Sequence, residues 1–137
     1  MKSKSSERPP FELSVRQNDD LVELLVEVRT FASQQHISAS SNSVLSTVVS
    51  ELGTNLLKYA RNGRIRCGFL DPEHRRLFVE SIDEGPGIAD LESAMQENFS
   101  TGGSLGMGLP GIRRLSSHFQ IESTLGKGTR IWCELEL

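Results

Sequence analysis

Asp83-Glu84-Gly85-Pro86-Gly87-Ile88 and, after a short polar passage, Ser100-Thr101-Gly102-Gly103-Ser104-Leu105-Gly106-Met107-Gly108-Leu109-Pro110-Gly111 decide how the rest of the chain is read. Seven of the 12 glycines lie between Asp83 and Gly111. Glycine is used where backbone takes positive φ or must come very close to another group, so this concentration points to close approach to a ligand. The second run leads into apolar residues at helical spacing, Leu109, Ile112, Leu115 and Phe119, with Pro110 suited to a first helical turn. A glycine-rich loop that opens a helix turns free N–H groups and the positive end of the helix dipole toward an anion, typically phosphate. The first run follows a strand-like stretch, Leu77 to Ile82, and sets one carboxylate, Asp83, ahead of a glycine turn. A carboxylate only accepts hydrogen bonds and so suits an exocyclic amine such as that of adenine. Together the two runs predict a purine nucleotide held at its base by one and at its phosphates by the other.

The glycine pattern is not a dinucleotide-binding fingerprint, because the strand order and the acidic residue after a second strand are missing. On either side, the chain reads as strand, two helices, two strands, a lid, a helix and two strands. Phe11 to Val15 alternates apolar and polar residues, the period of a half-buried strand. Asn18-Asp19-Asp20 opens an amphipathic helix through Leu21, Leu24, Leu25, Val28, Phe31 and Ala32 that ends near Gln35. Ser41-Asn42-Ser43 caps a second, with Leu45, Val48, Val49, Leu52, Leu56 and Tyr59 as its apolar stripe and Asn62-Gly63 as its stop. In that helix Glu51 and Asn55 are four apart and share one line at the edge of the stripe, which Lys58 continues. Arg64 to Leu70 and Arg75 to Ile82 form a hairpin about Asp71-Pro72-Glu73-His74. Ile88, Leu91, Met95 and Phe99 predict a short, weakly anchored lid helix. Gln120 to Ser123, a turn at Leu125-Gly126-Lys127-Gly128 and a strand from Thr129 to Leu137 complete the chain. Hairpin strands in succession predict an α+β fold, with helices on one face of a mixed, mostly antiparallel sheet.

The totals limit the function. The 137 residues make one domain over 11–137, preceded by a polar stretch, 1–10, read as a disordered tail. No apolar run approaches the ~18 residues of a membrane span. No apolar signal core precedes Phe11, so the expected location is cytoplasmic, with no membrane partner. A net charge of -3 leaves no basic footprint and argues against nucleic acid as a partner. The two cysteines, Cys67 and Cys133, sit in strand-like segments and read as reduced, buried thiols. Scattered His36, His74 and His118 give no zinc spacing.

Four short motifs in this order resemble the nucleotide-binding domain of the GHKL ATPase and kinase superfamily, which has a Bergerat-type ATP-binding fold. Glu51-x-x-x-Asn55 with Lys58 looks like the N box, and Asp83-x-Gly85-x-Gly87 like the first glycine box. Gly103 with Gly106-x-Gly108 is similar to the second, and Gly126-x-Gly128-Thr129 to the third. Within the superfamily the likeness is greatest to the small protein-serine kinases of bacterial partner-switching pathways, the stressosome switch kinases above all. The anti-sigma-factor kinases are less similar around Leu109-Pro110-Gly111.

That resemblance implies ATP and Mg2+ as cofactors, with Asn55 binding Mg2+ through its side-chain carbonyl. Glu51 would be the general base for an attacking serine or threonine hydroxyl, or would orient water or metal. Lys58 would neutralise phosphate charge or lie solvated. Asp83 would read the adenine amine, with Gly85 and Gly87 passing under the base and Thr129 near it. The loop Gly103, Ser104, Leu105, Gly106, Met107, Gly108 would present N–H groups to the phosphates, while Met95, Phe99 and the Met107 side chain would pack lid and core. Implied partners are STAS-domain scaffold and antagonist proteins and a PP2C-type phosphatase. In the alternative, an anti-sigma factor, the partner is a sigma factor.

Overall fold

The computed structural model describes residues 11–60, 62–96 and 108–137. In chain order the elements are β1 (Phe11–Val15), α1 (Asn18–Gln34), α2 (Ala39–Tyr59), β2 (Gly63–Phe69), β3 (Arg76–Asp83), α3 (Leu91–Ala94), α4 (Gly108–Leu115), β4 (His118–Thr124) and β5 (Gly128–Glu136).

Period-2 patterning puts the odd-numbered residues of the strands on one face of the sheet. Val15, Ile65, Cys67, Leu77, Val79, Ile131, Cys133 and Leu135 on that face are all 5% exposed or less. The helices cover them with Leu24, Val28 and Phe31 of α1, Leu45, Val48, Val49, Leu52 and Leu56 of α2, and Ile112 of α4. The strand order is β1-β2-β3-β5-β4. The expectation of a mixed, mostly antiparallel sheet is met in its stricter form, since all four pairings are antiparallel.

One step in that order positions the site. The chain leaves β3, makes the outer strand β4, and returns as β5 between β4 and β3. Asp83, at the end of β3, therefore lies directly across from Thr129 near the start of β5.

The helix α1 begins at Asn18, as the sequence predicts, whereas α2 begins earlier than expected. The Asp20 carboxylate reaches back to accept from the backbone N–H groups of Arg16 (2.9 Å) and Gln17 (3.2 Å), so α1 is capped from inside its first turn. The cap of α2 is Ser38, not the 41–43 cluster: its Oγ accepts from Ser41 N–H at 3.2 Å. A hydroxyl three residues upstream of that cluster, with extended backbone, wins because an N-cap must itself be non-helical. Ser38→Ala is expected to cost about 1 kcal/mol, read as a shifted urea midpoint at unchanged slope. Tyr59, expected in the buried stripe of α2, is 55% exposed at the last turn of that helix. The lid helix is only four residues long and has no buried residue. Asp90 caps it, with Oδ2 accepting from Ser93 Oγ (2.6 Å) and Oδ1 from Ser93 N–H (3.1 Å), and these bonds hold its carboxyl below the usual range.

The other face of the sheet carries a cluster that the sequence did not reveal. Glu80 is 3% exposed, and Arg66 Nη1 (2.7 Å) and Arg130 Nε (2.6 Å) each donate to one of its oxygens. Phe78 and Trp132 stack at 4.7 Å, with the Arg66 and Arg130 guanidiniums over the two rings. A buried carboxylate needs such partners, because an unpaired one would cost several kcal/mol.

Cys67 and Cys133 are fully buried and free, as expected. Burial pushes both thiols up to about 12, with a hydrogen bond to Ser116 opposing it at Cys133. Neither forms thiolate at pH 8, so a thiol-specific chromogen is expected to report no free thiol in the native protein and both in denaturant.

Candidate functional site

Five positions singled out in the sequence meet at one corner of the sheet. Asp83 and Thr129 are cross-strand partners and share the helix-covered face. Asp83 Oδ1 accepts from Gly85 N–H at 2.8 Å, which folds the chain back at the strand's end. Gly85 is pressed against the end of α2: a Cβ there would stand 3.1 Å from Tyr59 O and from Ala60 Cα. Gly87 has φ of +79°, and a Cβ on it would lie 2.5 Å from Thr124 O. Gly128 has φ of +133°, and its Cβ would fall 1.9 Å from Asp83 O. The first glycine turn is thus clamped between the end of α2 and the β4–β5 turn, and Gly126 N–H donates to Pro86 O at 2.9 Å.

Asn55 is four residues before Tyr59, one helical turn or about 6 Å along the axis from the contact with Gly85. Glu51 is a further turn back. Both are half-buried at the edge of the α2 stripe, as their spacing predicted, and Lys58 is exposed. Glu51 also borders an open cleft of about 360 Å³ between α1 and α2, lined by Leu25, Arg29, Ser43, Ser46, Thr47 and Ser50. Gly108 opens α4 with φ of +59°, and Pro110 lies buried in the first turn of that helix. Gly103, Ser104, Leu105, Gly106 and Met107, the predicted phosphate loop, lie outside the described residues, as does Phe99; Met95 is half-buried just after α3.

Ser123 was not among the sequence candidates. Its Oγ accepts from Ile88 N–H at 2.7 Å and is 2.8 Å from Thr129 Oγ1. The signal available was a hydroxyl at a core-facing position of β4, two residues after Ile121 in a strand with period-2 burial.

The donor set fits a nucleotide base. Asp83 offers acceptors only, Thr129 a hydroxyl, and Gly85 presents backbone where any side chain would crowd the turn. Fold and corner together define a purine-nucleotide-binding protein. Residues 41–137 match the family described as histidine kinase-, DNA gyrase B-, and HSP90-like ATPase. The chain is 36% identical over 104 residues to serine/threonine-protein kinase RsbT of Bacillus subtilis, covering 75% of this chain and 78% of that one. It is 34% identical over 127 residues to the anti-sigma F factor of Caldanaerobacter subterraneus, covering 87% and 85%. Among solved structures it resembles the RsbU and RsbW domains of a Mycobacterium tuberculosis protein, at a TM-score of 0.68 and 16% identity. That match covers 95% of this chain but 32% of the other. The catalytic domain of histidine kinase ThkA matches at 0.53 and 18%, covering 94% of this chain and 98% of that one. The chain belongs to the ATP-binding family of histidine kinases, DNA gyrase B and HSP90, and within it to the serine/threonine-protein kinases related to RsbT. The family match begins at residue 41, so β1 and α1, which the sequence resemblance includes, precede it. Among the described residues, no helix is long and apolar enough to cross a membrane.

Proposed function

We propose that this is an ATP- and Mg2+-dependent kinase of a stress-response partner-switching pathway. It phosphorylates a serine or threonine of STAS-domain scaffold and antagonist proteins and, when released from them, activates a PP2C-type phosphatase. The observation that carries the reading is the junction of Asp83, Gly85 and Thr129 with the end of α2, the helix that bears Glu51 and Asn55. Asp83 and Thr129 would hold the base of a nucleotide, and the helix that bears Glu51 and Asn55 together with the start of α4 would hold its phosphates. The bound nucleotide and metal supply the transferable phosphoryl group and neutralise its charge.

The chain's own residues do the rest. The free oxygen of Asp83 receives the exocyclic amine, and the Asn55 side-chain carbonyl is a hard oxygen ligand suited to Mg2+. Lys58, at the exposed end of the same line, balances phosphate charge. Glu51 accepts the proton of the attacking hydroxyl, and its position on the open cleft gives a partner protein access to it. The 36% identity to a named serine/threonine kinase supports transfer rather than ATP hydrolysis alone.

A second reading, an anti-sigma factor that binds a sigma factor and phosphorylates its STAS-domain antagonist, is favoured by the likeness to anti-sigma F factors over 87% of the chain. The test incubates the protein with labelled ATP, Mg2+ and candidate STAS-domain proteins of the same cell. Label on a partner serine or threonine, lost with Asn55→Ala, is the expected result; ATP binding without label would make the protein a nucleotide-gated binding module. Co-purification of a phosphatase favours the first reading, and of a sigma factor the second.

A further inference from the structure

We infer that the α1–α2 cleft seats the acceptor segment of the partner protein. Arg29 selects a segment with an aspartate or glutamate two or three residues from the serine or threonine that takes the phosphoryl group. The inference deepens the kinase reading above and rests on it. The open cleft of about 360 Å³ carries opposite charges on its two walls, Glu51 on α2 and Arg29 on α1. Arg29 is exposed, and among the described residues no carboxylate pairs with it. A guanidinium left open in this way suits a carboxylate, which it binds through two parallel hydrogen bonds. The same segment then brings a hydroxyl to Glu51 and an acid to Arg29, and the charge pattern fixes its register.

The helix pairing gives the spacing. A short connection joins α1 to α2, so the two run antiparallel. Gly53 packs on Leu21, since a Cβ there would stand 2.6 Å from Leu21 Cδ1. From that crossing toward the connection, Arg29 lies about 12 Å along α1 and Glu51 about 3 Å along α2. The two positions are thus about 9 Å apart along the cleft, the span of two or three extended residues at ~3.3 Å each. On the α2 wall, the Ser43 and Ser50 hydroxyls engage no other described residue and are open to the backbone groups of such a segment. On the α1 side, Val22 and Val26, 62% and 56% exposed, extend the apolar edge that Leu25 begins and give a hydrophobic residue of the partner a place to pack.

The test takes the STAS-domain protein that accepts label from ATP and varies its concentration at saturating ATP and Mg2+. Arg29→Ala is expected to raise KM for that acceptor about tenfold, the size of one charge-assisted hydrogen bond, while kcat and calorimetric ATP affinity hold. Arg29→Lys keeps the charge and should raise KM less; Arg29→Glu should raise it more. Val26→Ser should also raise KM with kcat unchanged. In the acceptor, lysine in place of the acidic residue at the stated spacing should weaken transfer by wild type and restore it with Arg29→Glu. Arg29 is exposed, so thermal melts of its variants should overlay the wild type. An unchanged KM in Arg29→Ala, a fall in kcat alone, or an acceptor with no acidic residue within three positions of the labelled hydroxyl would overturn the inference and leave the kinase reading standing. Label on no acceptor, with ATP bound, would overturn the kinase reading and the inference with it.

Discussion

Gly128→Ala is expected to destabilise the protein by about 3 kcal/mol and to lower Tm by about 10 °C. Two penalties coincide there. The φ of +133° is closed to residues with a Cβ, and the added carbon would lie 1.9 Å from Asp83 O and 2.8 Å from the carbonyl carbon of the same residue. The obstructing atoms are backbone, so no rotamer change relieves the clash; β5 must move away from β3. That movement separates Thr129 from Asp83, and nucleotide affinity should fall in whatever fraction still folds. Gly126→Ala is the matched control. It too has positive φ, +77°, but no atom lies within 4 Å of the added carbon, so only about 1 kcal/mol of backbone strain is expected. Thermal melts of the two variants separate close approach from conformational freedom, and equal shifts would show that the packing of Gly128 on Asp83 contributes nothing.

The contrast between these glycines also shows what was legible in the sequence. The third glycine motif was visible, but the sequence could not say which of its glycines faces open solvent and which touches another strand, because that depends on β5 returning next to β3. Strand pairs that are neighbours in sequence, β2 with β3 and β4 with β5, followed from their turns. The β3–β5 pairing is long-range and has no local signal. Apolar stripes on α1 and α2 fixed the core and the edge positions of Glu51 and Asn55, since helical periodicity carries burial directly. The cap of α2 was misplaced because several hydroxyls competed within a few residues. The Arg66–Glu80–Arg130 cluster and Ser123 were invisible for a related reason: polar residues at alternating strand positions become significant only when the neighbouring strand is known.

Glu51→Gln is expected to reduce phosphoryl transfer to a partner hydroxyl by about 10²–10⁴-fold while leaving ATP affinity within about twofold. The substitution keeps side-chain shape and removes the capacity to hold a proton. Glu51 is half-buried at the edge of α2, one turn from Asn55 and two turns from the contact of Tyr59 with the first glycine turn, so its loss should not reach the base pocket. Stability should therefore change little, and single-turnover transfer measured beside equilibrium ATP binding isolates the chemical step. If transfer and ATP–Mg2+ affinity fall together, Glu51 acts by holding metal or water rather than by taking the proton, the alternative that the sequence left open. If neither falls, positioning and charge neutralisation by the remaining residues suffice, as phosphoryl transfer through a loose transition state permits. The three outcomes assign Glu51 to proton transfer, to the metal, or to neither, and only the first makes the α1–α2 cleft the approach path of the acceptor hydroxyl.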